Sequence, residues 1–195
     1  MTDWLLALVP QYGVWLLAGS TFLSCLALPI PASILMLAAG GFASAGDLSM
    51  TGAAGAALAG AVAGDQTGYF AGRAGGAGLI ARLGQRAQPV AKATELLARR
   101  GDLAVFLSRW LVSALGPYVN VAAGAAGQGW HRFTLAAVAG EAVWVALYVG
   151  LGYAFTGNLQ AASAMATDML GFLAAGAVAL GALLWLAMTL RAERA

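Results

Sequence analysis

The chain has 195 residues, of which 61% are hydrophobic and 9% charged, with a net charge of +2 and a mean hydropathy of +0.81. An average soluble domain carries about 25% charged residues, so this composition excludes a surface covered mainly by water. At about 20 apolar residues per spanning helix, residues 1–195 make a handful of membrane segments in one domain and leave no room for a separate soluble catalytic module.

The chain opens Met1-Thr2-Asp3-Trp4, with an acid and no basic residue ahead of the first apolar run, so no cleavable signal peptide is expected. The first apolar region, residues 12–46, is interrupted at Pro29-Ile30-Pro31. Proline lacks a backbone donor and disfavours helix at its predecessor, so the run should break there. Residues 51–72 are apolar and rich in small residues, with Asp65 among them, and long enough to span. Within them Gly60, Gly64, Gly68 and Gly72 form a GxxxG ladder, a bare stripe that lets another helix approach closely. Residues 79–100 alternate apolar and basic positions and read as an amphipathic cytoplasmic linker along the inner leaflet.

A second broken region, residues 103–129, is interrupted at Gly116-Pro117 into halves of 14 and 13 residues. Each half reaches about 20 Å, short of a hydrocarbon core of about 30 Å. Neither half can cross alone, which predicts a re-entrant hairpin whose tip is buried against protein or lines a watery cavity. Residues 133–155 form another span carrying Glu141, and residues 170–190 a last one. The predicted fold is an all-α integral membrane protein with two re-entrant helical hairpins and about three spanning helices.

Arg73, Arg82, Arg86, Lys92, Arg99 and Arg100 hold six of the ten positive charges and all lie between the first span and the second broken region. That segment is cytoplasmic by the positive-inside rule, and the Arg191–Arg194 tail returns to the same side. The hairpins then enter from opposite faces. Ala38-Ala39-Gly40 followed by Gly64-Asp65 parallels Ala122-Ala123-Gly124 followed by Gly140-Glu141, which suggests an inverted repeat.

Asp65 and Glu141 are acids within spans, each costing about 2.5–3.5 kcal/mol on insertion scales, so each should pair with a base or face a cavity and take up a proton or another cation. Arg109, in the first half of the second hairpin, is expected to face the same cavity as Asp65, either as a static ion pair or as the holder of an anionic group. Arg73 sits at the cytoplasmic boundary, where a headgroup contact is the default. Trp4, Trp130 and Tyr153 fall near predicted interfaces, as an aromatic belt requires. Cys25 is the only cysteine and His131 the only histidine, which leaves a zinc cluster without its usual ligands; no metal or cofactor is expected. There is no GxSxG, HExxH or CxxC, and no enzyme activity is expected.

Across residues 21–157 the sequence resembles the DedA (VTT-domain, SNARE-associated Golgi protein) family. The likeness rests on Pro29-x-Pro31, Gly64-Asp65-xxx-Tyr69-xx-Gly72-Arg73, Gly101, Phe106-xx-Arg109-Trp110, Ala123-Gly124, Phe133, Gly140-xxx-Trp144 and Gly152-Tyr153. It implies two facing re-entrant hairpins with tips at Pro29, Pro31, Gly116 and Pro117, and a role in lipid translocation coupled to a proton or ion gradient. On this reading Asp65 and Glu141 couple to the ion while Arg109 and Arg73 meet the substrate headgroup. The chain departs from the family pattern where Ser24 and Ser33 stand for glutamates of the first hairpin, and Val112 and Leu115 for a proline and a second arginine. Glu141 stands where a small residue is common, and is expected to replace a lost carboxylate.

The expectation is a multi-pass bacterial inner-membrane flippase or scramblase of phospholipid or polyprenyl phosphate, with its C-terminus cytoplasmic. The alternatives are a small-ion or solute transporter and a non-transporting assembly or envelope-stress factor. The expected partners are membrane lipids, protons or another cation and a second copy of the chain, and not nucleic acid.

Overall fold

A computed structural model describes residues 2–82 and 87–155. Among these the regular elements are all helical: α1 (Thr2–Ser24), α2 (Ala32–Ala45), α3 (Met50–Arg82), α4 (Ala87–Arg100), α5 (Asp102–Trp110), α6 (Gly116–Ala125) and α7 (Trp130–Ala154). The span expected at 170–190, the 191–194 tail and residues 83–86 lie outside the described residues.

Two helix–break–helix units, α1–α2 and α5–α6, pack against the long helices α3 and α7. The first break begins in a Schellman turn: Ala27 adopts φ 64°, and the Leu28 N–H donates to Leu23 O at 3.3 Å. Pro29 and Pro31 then prevent the helix from resuming before Ala32.

The second break differs from the expectation. It falls upstream of Gly116-Pro117, at residues 111–115, where a 3-10 turn (Ser113–Leu115) follows α5. Gly116 is helical (φ −47°, ψ −56°) and opens α6, with Pro117 in its first turn. Proline's clash with its predecessor acts partly through a Cβ that glycine lacks, and proline suits a helix start because the donor it lacks is orphaned there anyway.

Other boundaries move too. α3 is 33 residues long, continuing past Gly72 to Arg82, so the first residues of the expected linker 79–100 belong to α3. α4 buries Ala93, and Leu97 packs with it against the core around Tyr69 and Phe133, while Lys92, Glu95, Arg99 and Arg100 face outward. Among the described residues α7 alone is both long and apolar enough to cross a membrane; α3 has the length but, being rich in glycine and alanine, not the hydropathy.

The packing shows why the glycines are where they are. A β-carbon at Gly60 would collide with Ala18 O, and one at Gly64 would lie 2.6 Å from Phe22 O, so α1 lies directly on the upper half of the ladder. A β-carbon at Gly68 would lie 2.8 Å from Asn120 Cβ, and one at Gly72 would strike Val121 O, so α6 lies on the lower half. Gly124 returns the contact against Tyr69 O. α7 repeats the scheme: Gly140 admits α5 at Phe106 O, and Gly152 and Gly40 admit each other's helices at Leu37 O and Val149 O.

Each break is thus clamped between both long helices, its ingoing limb on the long helix of its own half and its outgoing limb on that of the other. α1 and α6 run parallel to α3, and α2 and α5 run parallel to α7. Because α2 leads directly into α3, the C-terminal end of α7 lies beside the N-terminal end of α3. The two units therefore enter from opposite ends of an antiparallel α3–α7 pair, an arrangement with the pseudo-symmetry of an inverted repeat.

Candidate functional site

Where the two breaks approach, five elements each contribute one polar side chain to a buried cluster: Cys25 from the first break, Asp65 from α3, Arg109 from α5, Asn120 from α6 and Glu141 from α7. Arg109 Nη1 lies 3.0 Å from Asp65 Oδ1, and Arg109 Nη2 donates to Asn120 Oδ1 at 2.7 Å. Asn120 Nδ2 in turn donates to Asp65 Oδ1 at 2.9 Å, closing a three-residue ring. Arg109 Nη1 also reaches the Gly116 carbonyl at 3.4 Å, which ties the guanidinium to the start of α6.

Glu141 is held more loosely. Its Oε1 lies 3.7 Å from Arg109 Nε and 3.9 Å from the Cys25 thiol that points at it. Asp65 Oδ2, Glu141 Oε2 and Arg109 Nε have no hydrogen-bond partner among the described residues. Behind the guanidinium, 5.8 Å away, lies the ring of Phe133, itself stacked on Tyr69. Arg109 can approach α7 this closely because a side chain at position 140 would meet Arg109 Cγ at 2.6 Å.

A groove of about 360 Å³ runs between the two breaks, lined by Ser24, Leu28, Pro31 and Ser33 on one side and by Ser113, Pro117 and Tyr118 on the other, with Trp144 at its wall. Leu28, Ser113 and Ala114 are exposed, so the groove opens onto the molecular surface. A smaller cavity of about 40 Å³ shares Ser24, Ser113, Pro117 and Trp144 with it and reaches Cys25, Arg109 and Glu141.

Of the residues expected in a site, Asp65, Arg109 and Glu141 are brought together. Pro31 and Pro117 line the groove, Gly116 lines the smaller cavity, and Pro29 is exposed. Arg73 is not part of the cluster: it is exposed, with Nη1 beside Gly127 in the α6–α7 loop, about 12 Å along α3 from Asp65 at 1.5 Å per residue. Asp102, at the start of α5, accepts hydrogen bonds from Arg132 Nε and Gln128 Nε2, both at 2.8 Å, and the Tyr69 hydroxyl donates to Gln128 O. Asn120 and Cys25 were missed by the sequence reading. The signal for Asn120 was there, since it is the one amide in the apolar half-helix 116–125.

This fold and site define a helical bundle organised around a pair of opposed broken helices. The VTT domain family model matches residues 30–154. An uncharacterized membrane protein of Synechocystis sp. is 35% identical over 150 residues, covering 75% of this chain and 68% of that protein. Uncharacterized membrane proteins of Mycobacterium tuberculosis and Mycobacterium bovis are each 35% identical over 158 residues, covering 76% of this chain and 72% of theirs. No solved structure is a significant match. The chain belongs to the VTT-domain (DedA) family of membrane proteins.

Proposed function

We propose that the protein moves a lipid with an anionic headgroup between the leaflets of a bacterial inner membrane, the two helix–break–helix units acting as re-entrant hairpins. The observation that carries this reading is the surface-opening groove between the breaks, which leads to a buried arginine. α2 and α6 both begin at its walls, so two helix N-termini, the positive ends of their dipoles, converge on one cavity. Three serine hydroxyls and Tyr118 supply donors there without opposing charge. A groove open to the surface admits a headgroup while its acyl chains stay in the bilayer.

The cluster supplies the coupling. One guanidinium faces two carboxylates, a net charge of −1 in a buried site, and such a charge is costly unless it is balanced. A proton or a small cation restores balance. A headgroup phosphate arriving at Arg109 displaces the need for Asp65, so uptake of the ion and binding of the anion favour one another.

The test is leaflet exchange of labelled phospholipids and polyprenyl phosphate in liposomes holding the purified protein, with and without a pH gradient. Exchange is expected, together with its loss in Asp65→Asn and Arg109→Ala protein that still unfolds cooperatively. Absence of exchange for every lipid, from folded protein, refutes the reading.

A further inference from the structure

The sequence holds one cysteine and one histidine, too few for the usual zinc ligand sets. The fold instead gathers one thiol and two carboxylates from three separate elements. One ligand atom from each of Cys25, Asp65 and Glu141 lies within 4.8 Å of the others, and all three residues are buried. The guanidinium of Arg109 lies 3.0 Å from Asp65 Oδ1 and, more loosely, 3.7 Å from Glu141 Oε1. The other oxygen of each, Asp65 Oδ2 and Glu141 Oε2, is buried with no hydrogen-bond partner among the described residues. An unsatisfied buried acceptor costs about 1–3 kcal/mol, more when charged, so a cluster that also brings the Cys25 thiol to 3.9 Å from Glu141 Oε1 has capacity for an occupant. The cavity of about 40 Å³ against Cys25 and Glu141 has room for a water.

We propose that Cys25, Asp65 and Glu141 bind a single thiophilic divalent cation of the Zn²⁺ class, with a water from the adjoining cavity as fourth ligand. Charge supports this choice. A thiolate and two carboxylates bring −3, Arg109 brings +1, and a divalent cation makes the site neutral; the thiol proton leaves to solvent on binding. Donor type supports it as well, since Mg²⁺ and Ca²⁺ require six or more oxygen ligands whereas sulfur with carboxylate suits Zn²⁺, Cd²⁺ and Co²⁺. Tetrahedral bonds of about 2.0–2.3 Å place ligand atoms roughly 3.5 Å apart, so small side-chain rotations close the site. The bound cation bridges the first break to both long helices, which fixes the groove in one shape. The site stands on its own geometry and does not depend on lipid movement.

The test titrates full-length protein in detergent with Co²⁺, following metal content and the near-ultraviolet sulfur-to-cobalt charge-transfer band. One Co²⁺ per chain is expected, with a band displaced by Zn²⁺; because Cys25 is the only cysteine, a thiolate band identifies it without any variant. Cys25→Ser should abolish the band, and Glu141→Gln should weaken binding at least tenfold. A titration of the unaltered chain that gives no band, or a band that survives Cys25→Ser, overturns the proposal. Metal binding without lipid exchange retains this site and rejects the transport reading, whereas lipid exchange with no band rejects this site alone.

Discussion

Asp65→Asn and Glu141→Gln each remove one negative charge from the same cluster while keeping the side chain's shape, yet the structure assigns them very different costs. Asp65 Oδ1 receives both the guanidinium at 3.0 Å and the Asn120 amide at 2.9 Å. Removing the close partner of a buried ion pair costs about 3–5 kcal/mol, and Arg109 would keep only Glu141, at 3.7 Å. Asparagine at position 65 also presents an amide that can be aimed wrongly at Arg109. Glu141 meets the guanidinium only at 3.7 Å, beyond hydrogen-bond length, and the cluster carries one negative charge too many. Neutralising it removes that excess and leaves the Arg109–Asn120–Asp65 ring whole, so the expected cost is about 1 kcal/mol or less, near that of one net hydrogen bond. Chemical denaturation of the purified variants in one detergent measures the difference directly. A Glu141→Gln protein destabilised as much as Asp65→Asn would refute the reasoning, since it would mean that Glu141 holds Arg109 as firmly as Asp65 does.

Three further outcomes are expected. Gly64→Ala and Gly68→Ala, whose new methyl groups would lie 2.6 Å from Phe22 O and 2.8 Å from Asn120 Cβ, should each lose about 1–3 kcal/mol, whereas Gly19→Ala and Gly150→Ala, with nothing within 4 Å, should be neutral or slightly stabilising in the same denaturation assay. Ser113→Trp should fill the groove at an exposed position and abolish leaflet exchange while leaving the unfolding transition unchanged. Asp102→Asn breaks a largely exposed pair with Arg132 and should cost no more than about 1 kcal/mol, a loss that shrinks further in high salt.

Much of the frame was legible because its causes are local. Two prolines one residue apart, at 29 and 31, remove two backbone donors and interrupt the helix locally, and the ladder from Gly60 to Gly72 announces a close helix approach. The meeting of Asp65 with Arg109 was readable for an energetic reason, since unpaired charges in an apolar chain must find each other. What stayed hidden depends on three-dimensional neighbours. Nothing in the ladder says that Gly60 and Gly64 receive α1 while Gly68 and Gly72 receive α6. Pro117 has the sequence signature of a helix breaker, but its place after a glycine makes it a helix starter. Arg73 joins Arg109 only through the family resemblance, and the fold leaves it exposed, about 12 Å along α3 from the cluster. Asn120 carries no charge, so it drew no attention, although it joins the two charged groups at the centre of the site.

The exchange of limbs between halves bears on how the chain is made. α2 is complete when residue 45 has been synthesised, but the backbone it lies against, around Val149 and Gly152, arrives about a hundred residues later, roughly 5–20 s at ordinary rates of synthesis. During that interval α2 is a short apolar helix of about 21 Å with no second wall, too short to settle across the bilayer by itself. The first unit must wait on the last helix of the clamp, so the two halves mature together or not at all, and a chain that stops before α7 leaves its first half without a resting place.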